Sequence, residues 1–192
     1  MMKSNVRNLV YMALFIVLIT IGAKVVIPIP VCPFTLQLLF TTLAGLVLGP
    51  VYGGISVLCY IVLGLIGVPV FATGGGFGYV LQPTFGYLVG FAAGAFLTGL
   101  IAGKNRESCS FLRLLAANFA GLLVVYLMGI VYFWLIKTFY IGNPIGFKAL
   151  ILYCFVLAVP GDIVLCVVAA ILSKKLLPIL KANGLIESEA QK

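Results

Sequence analysis

The chain is poor in charge. Asp, Glu, Lys and Arg make up 8% of its 192 residues, against roughly 25% in a soluble domain, where that surface must face water. A water-exposed globule is excluded for most of its length. Histidine is absent, which removes the usual general base and the commonest metal ligand. With no acid pair and no metal-ligand cluster either, an enzyme is not expected, because acid–base chemistry needs positioned titratable groups. No GxxxxGK[ST] run occurs, and the cluster Gly74, Gly75, Gly76 and Gly78 has no lysine after it. The chain therefore has no phosphate-binding loop of that kind. Five cysteines (Cys32, Cys59, Cys109, Cys154 and Cys166) are scattered without CxxC spacing. They read as small buried hydrophobes rather than disulfides or metal ligands.

What is present is apolar. Hydrophobic residues account for 64% of the chain, and the mean hydropathy is +1.27. This is the composition of an all-α integral membrane protein. A spanning helix needs ~20 apolar residues. The run from Val6 to Ile27 meets that length; it is too long for a typical signal core, lacks a small-residue cleavage site and reads as a retained span. Further segments cover 34–48 and 51–66, parted only by Gly49-Pro50, then 84–103, 114–138 and 161–177. The second and third are short and form either two tightly turned helices or one kinked hairpin. Six spans are expected in a single membrane domain over residues 1–192. A short additional helix over 149–159 precedes the last span, and 178–192 forms a cytoplasmic tail. The stretch from Gly67 to Pro83 is apolar but holds Pro69, the glycine cluster and Pro83, so it is expected to be non-helical. Such backbone is tolerated at this hydrophobicity only where protein buries it or water reaches it.

The net charge of +8 is first an orientation signal. With the amino terminus inside, Lys3, Arg7, Lys104, Arg106, Arg113, Lys174, Lys175, Lys181 and Lys192 fall on the cytoplasmic side. Only Lys24, Lys137 and Lys148 fall outside. Both termini are expected in the cytoplasm, and no nucleic-acid partner is needed to explain the basic balance. The three outer lysines read as snorkelling anchors, and Trp134 as an interfacial one. Gly86, Gly90, Gly94, Thr98 and Ala102 recur every four residues, and Gly45, Gly49 and Gly53 form a second series. Small residues on one face let helices pack closely in lipid; a docking face for another membrane protein is the alternative. Asn118 reads as an interhelical hydrogen bond.

Three of the four acids (Glu107, Glu187 and Glu189) lie in loop or tail. Asp162 stands at the mouth of an apolar helix, after Pro160-Gly161. An ionisable residue at the rim of a span is a functional-site candidate; an N-terminal cap is the compatible alternative. Thr35, Gln37, Thr73, Tyr79, Gln82, Thr84 and Tyr87 supply polar groups toward the same side. Aromatic walls with a few polar groups suit a small-molecule pocket.

The ordered set Pro33-Phe34-Thr35-Leu36-Gln37, Leu43-Ala44-Gly45-Leu46-Val47-Leu48-Gly49, Tyr60…Gly64…Gly67-Val68-Pro69-Val70-Phe71, Pro83-Thr84…Gly86-Tyr87-Leu88…Gly90-Phe91 and Pro160-Gly161-Asp162 resembles the BioY family, from about Tyr11 to Leu177. These are the biotin-specific membrane subunits of energy-coupling-factor transporters. The resemblance implies a six-helix capture subunit in the plasma membrane of a prokaryote. It would work with a separate transmembrane coupling subunit and two ATP-binding-cassette ATPases, with no cofactor of its own and biotin as the transported ligand. It implies a pocket near the outer face, closed by the loops after the first and third spans. Asp162 and Gln37 would meet the ureido ring, and Phe71, Tyr79 and Tyr87 would wall the apolar part. Thr35, Thr84, loop N–H groups or Lys148 would meet the ligand carboxylate. The family usually has Lys three residues after the Asp, where this chain has Leu165. A self-contained secondary transporter, with Asp162 as a proton-coupling site, and capture of a related acyl cofactor such as lipoate are the alternatives.

Overall fold

A computed structural model describes residues 2–28, 33–143 and 146–183. Among the described residues the architecture is mainly helical, with a two-residue antiparallel hairpin and an isolated bridge between Phe71 and Gly74. Helix α1 (Met2–Lys24) leads into strands β1 (Val26–Ile27) and β2 (Phe34–Thr35), which pair antiparallel with Val26 opposite Thr35. Then follow α2 (Gln37–Leu48), α3 (Pro50–Leu65), a 3₁₀ turn (Phe77–Leu81), α4 (Phe85–Ala102) and a second 3₁₀ turn (Arg106–Ser108). Helix α5 (Phe111–Leu135) ends in a π turn (Ile136–Tyr140). Helix α6 (Phe147–Ile151) passes through another π turn (Leu152–Val156) toward α7 (Val159–Ala182).

Among the described residues, four helical runs are long and apolar enough to cross a membrane: Val6–Lys24, Phe85–Ala102, Phe111–Tyr140 and Lys148–Ala182. Helices α2 and α3 are shorter, at 12 and 16 residues. At 1.5 Å per residue they reach about 18 and 24 Å. They form an antiparallel hairpin. Gly49, at φ +88°, makes the turn in a backbone region that disfavours a side chain. Pro50 sits at the start of α3, where its fixed φ and missing N–H cost nothing. Across the hairpin, Gln37 bonds to Tyr60, and Gly53 meets Gly45 so closely that a Cβ on Gly53 would lie 2.7 Å from the Gly45 Cα.

The glycine series of α4 is spent inside the bundle. A Cβ on Gly90 would lie 2.9 Å from the Val125 Cα on α5, and Thr98 Oγ1 donates to the Ala117 carbonyl at 3.2 Å. Gly45 in turn faces Ala95 of α4. Asn118 Nδ2 donates to the Cys166 carbonyl on α7 at 2.9 Å, the interhelical bond expected of it. The central core joins side chains from α1 through α5 and from α7, with Ile19, Val57, Tyr60, Phe71, Ala95 and Cys166 almost wholly buried.

Several element ends depart from expectation. The segment beginning at Phe34 starts as a strand, and its helix begins at Gln37, because Phe34 and Thr35 are paired with β1. The loop from Gly67 to Pro83 contains a 3₁₀ turn, not wholly irregular chain. Pro160-Gly161, expected to part the short 149–159 helix from the last span, lies within the start of that span's helix. Pro160 lies in the first turn of α7, and the irregular turn falls at Leu157 and Ala158. Proline is tolerated there because the first N–H groups of a helix have no intrahelical acceptor. Helix α7 also carries Pro178 and continues to Ala182, so the segment expected as tail begins as helix. Glu187, Glu189 and Lys192 lie outside the described residues.

Candidate functional site

One cavity lies where the hairpin strand β2, the N-terminal ends of α2, α4 and α7, and the later half of α5 converge. Its volume is about 80 Å³, smaller than the ~300–1,000 Å³ typical of small-molecule sites. Thr35, Gln37, Tyr79, Thr84, Tyr87 and Asp162 all line it. Residues up to 127 positions apart in sequence are thus brought to one space. Phe71 does not reach the surface of the cavity. It is fully buried behind it, with ring centroids 4.4 Å from Tyr79 and 5.5 Å from Tyr60. Its role is to back Tyr79.

The polar groups are held in fixed orientations. Tyr60 has a single hydroxyl proton and donates it to the Val70 carbonyl at 3.2 Å. Its oxygen therefore accepts from Gln37 Nε2, at 2.8 Å. Thr35 Oγ1 donates to Gln37 Oε1 at 3.2 Å. A primary amide offers two donors and two acceptor lone pairs, so Gln37 retains one of each after these bonds. Tyr87 donates to the Cys154 carbonyl at 3.1 Å, bracing α4 against the π turn. Thr73 donates to the Tyr79 hydroxyl at the weak distance of 3.5 Å. Thr84 caps nothing with its side chain.

Asp162 lies in the first turn of α7, but the cap position is Ala158 and no side chain caps the helix. The carboxylate instead accepts a hydrogen bond from the Tyr126 hydroxyl through Oδ2. A carboxylate has about four acceptor positions, so capacity for further donors remains. Among the described residues, Asp162 is the one acid or base lining the cavity. The remaining wall is apolar: Phe34, Leu38, Leu88, Phe91, Leu122 and Val125, with Pro33, Ala72, Cys154 and Ala158.

Tyr126 is the residue that sequence reading missed. Asn118, Leu122 and Tyr126 recur every four residues, which places Tyr126 on the inward face that Asn118 already marks. A hydroxyl in the middle of an apolar span was the available signal. Lys24 also departs from its expected role as a snorkelling anchor. Its ammonium donates to the Phe71 carbonyl at 2.6 Å, tying the end of α1 to the loop after α3. Tyr132 donates to the Val80 carbonyl in the same loop from the α5 side.

This combination defines a helical membrane protein with a cavity that is polar at a few fixed points and apolar elsewhere. The BioY family matches residues 1–182, and the chain belongs to that family. A probable biotin transporter BioY from Lysinibacillus sphaericus is 36% identical over 185 residues, covering 96% of this chain and 94% of that protein. One from Pyrococcus horikoshii is 41% identical over 177 residues, with 91% and 98% covered. The biotin transporter BioY of Thermotoga maritima is 39% identical over 171 residues, with 88% and 95% covered. Among solved structures, the S-component for biotin from an ECF-type ABC transporter superposes with a TM-score of 0.77. It is 28% identical, and 92% of this chain and 93% of that one are covered. The named relatives are transporters, so the chain belongs with transport proteins and not with enzymes.

Proposed function

We propose that this protein is the high-affinity biotin capture subunit of an energy-coupling-factor importer. The observation that carries the reading is the meeting of Asp162 and Gln37 in one otherwise apolar cavity. A cyclic urea presents two N–H donors and a carbonyl. The carboxylate suits the donors, and the remaining amide N–H of Gln37 suits the carbonyl. The thioether ring and alkyl chain suit Tyr79, Tyr87 and the apolar wall. Thr35 and Thr84 stand within the same cavity as further hydroxyls. The names of the relatives, as biotin transporters and as an S-component for biotin, support the same ligand.

In this reading α2 and α3 each count as a short span within the bundle, giving six, and residues 1–192 form one membrane domain. The cavity opens toward the outside of the plasma membrane, and both termini are cytoplasmic. The sequence supports that orientation: Lys104, Arg106, Arg113, Lys174, Lys175 and Lys181 gather at the opposite end, as the positive-inside bias requires. Energy comes from a separate coupling subunit and two ATP-binding-cassette ATPases, since the chain has no phosphate-binding loop of that kind.

The test is a thermal-shift panel on the purified protein, without ATP, using biotin, lipoate, thiamine and riboflavin, followed by calorimetric titration of the hit. Stoichiometric binding of biotin supports the reading. Binding of lipoate in preference to biotin would reassign the ligand, and no biotin binding would remove the assignment. Uptake of biotin by cells lacking any coupling ATPase would replace the capture subunit with a self-contained transporter.

A further inference from the structure

We infer that the cavity reads the head of its ligand and leaves the acidic tail unread, so that uncharged tail derivatives such as the carboxamide of biotin are ligands of comparable affinity. This rests on the biotin reading above and adds a substrate class to it. Among the described residues the cavity is lined by one ionisable acid or base, Asp162, and it is an acid. No lysine or arginine lines it among the described residues, and the undescribed stretches 29–32 and 144–145 hold none either. Lys24, at the end of α1, donates to the Phe71 carbonyl and does not line the cavity. Lys148 is exposed on α6.

A carboxylate moved out of water without a cation is strongly disfavoured, and Asp162 offers it no compensating positive charge. The N-terminal ends of α2, α4 and α7 bring some positive potential. A helix terminus favours an anion by about two- to fivefold at a surface and up to about thirtyfold when partly buried, which is still below the cost of burying an unpaired carboxylate. At α7, moreover, Asp162 already occupies the first turn. Near α4 the early N–H groups of Phe85 and Tyr87 are bonded to the Gln82 and Thr84 carbonyls. The favourable arrangement therefore places the ureido head inside, against Asp162 and Gln37, with the carboxylate at the water-filled mouth. A group that stays in water contributes little to affinity or selectivity.

The experiment is calorimetric titration of the purified wild-type protein with biotin and with biotin carboxamide, which has nearly the same shape and no charge. Dissociation constants within fivefold of each other are expected. Biotin bound more than fivefold tighter than the carboxamide would overturn the inference while leaving the biotin assignment intact. Failure of both to bind would remove the biotin reading and this inference with it. The same pair is titrated against Lys148→Gln, which removes an exposed cation of α6. The ratio of the two constants is expected to stay within twofold of wild type; a larger change, through loss of biotin affinity alone, would show that Lys148 reaches the tail and would overturn the inference.

Discussion

The Tyr126 hydroxyl donates to Asp162 Oδ2, joining the later half of α5 to the first turn of α7 across 36 residues of sequence. The bond fixes the side chain of the acid that lines the cavity. Tyr126 is held in turn by edge-on ring contacts with Tyr87, at 6.1 Å, and Phe155, at 5.0 Å. The acid is thereby presented by a rigid aromatic frame. Preorganisation of this kind lowers the ordering cost that binding otherwise incurs.

Asp162→Ala is expected to weaken biotin binding at least tenfold in calorimetric titration. Tyr126→Phe keeps the ring and loses only the hydroxyl, and a hydrogen bond to a charged group is worth ~1.5–3 kcal/mol. Part of that is regained when the freed carboxylate bonds to ligand or water, so a smaller loss than for Asp162→Ala is expected. Wild-type affinity in Asp162→Ala would take the acid out of the site.

Lys24 tests the fastening of the loop after α3. Lys24→Met retains an apolar stem of similar length and deletes the bond to the Phe71 carbonyl. Faster release of labelled biotin is expected, by severalfold, with the protein still folded and monodisperse. A residue serving only as a lipid-interface anchor would leave the release rate unchanged.

Gly90 tests the α4–α5 contact. An added side chain meets the Val125 backbone at 2.9 Å, and main chain cannot yield as a side chain can. Overpacking typically costs about 1–3 kcal/mol. Gly90→Val is therefore expected to lower the thermal midpoint in detergent clearly below wild type. Gly78→Ala, where an added Cβ meets nothing within 4 Å, serves as the comparison and is expected to change it little. Equal midpoints for the two variants would contradict the close approach.

Orientation is tested by labelling from either side of the membrane. In a cysteine-free background, Phe77→Cys and Ser108→Cys both place a thiol at an exposed position. A membrane-impermeant maleimide applied to intact cells is expected to label the first and not the second until the cells are opened. The reverse pattern would invert the topology.

Much was legible in the sequence because the bilayer imposes few solutions. Scarce charge and long apolar runs point to helices, since lipid offers backbone groups no hydrogen-bond partner and the chain must satisfy them internally. The four long runs and the Gly49-Pro50 interruption follow from the local pattern alone. So does the candidacy of Asp162, as an acid at the rim of an apolar helix. The convergence of Thr35, Gln37, Tyr79, Thr84 and Tyr87 on one cavity was expected through ordered motifs, without any geometry.

Packing decided the rest. Proline marks a helix boundary but not which side of it the helix lies, and Pro160 proved to be inside the first turn because its missing N–H has no acceptor to lose. Whether an acid caps its own helix or meets a neighbour depends on what stands opposite, and only tertiary structure brings Tyr126 to Asp162. The same holds for Lys24, whose reach to Phe71 depends on how the loop after α3 folds back over α1. By itself the sequence determined a helical membrane protein with one plausible acid, because composition and period are local quantities. Which groups that acid and its neighbours face is set by contacts between distant segments, and those exist only once the bundle is packed.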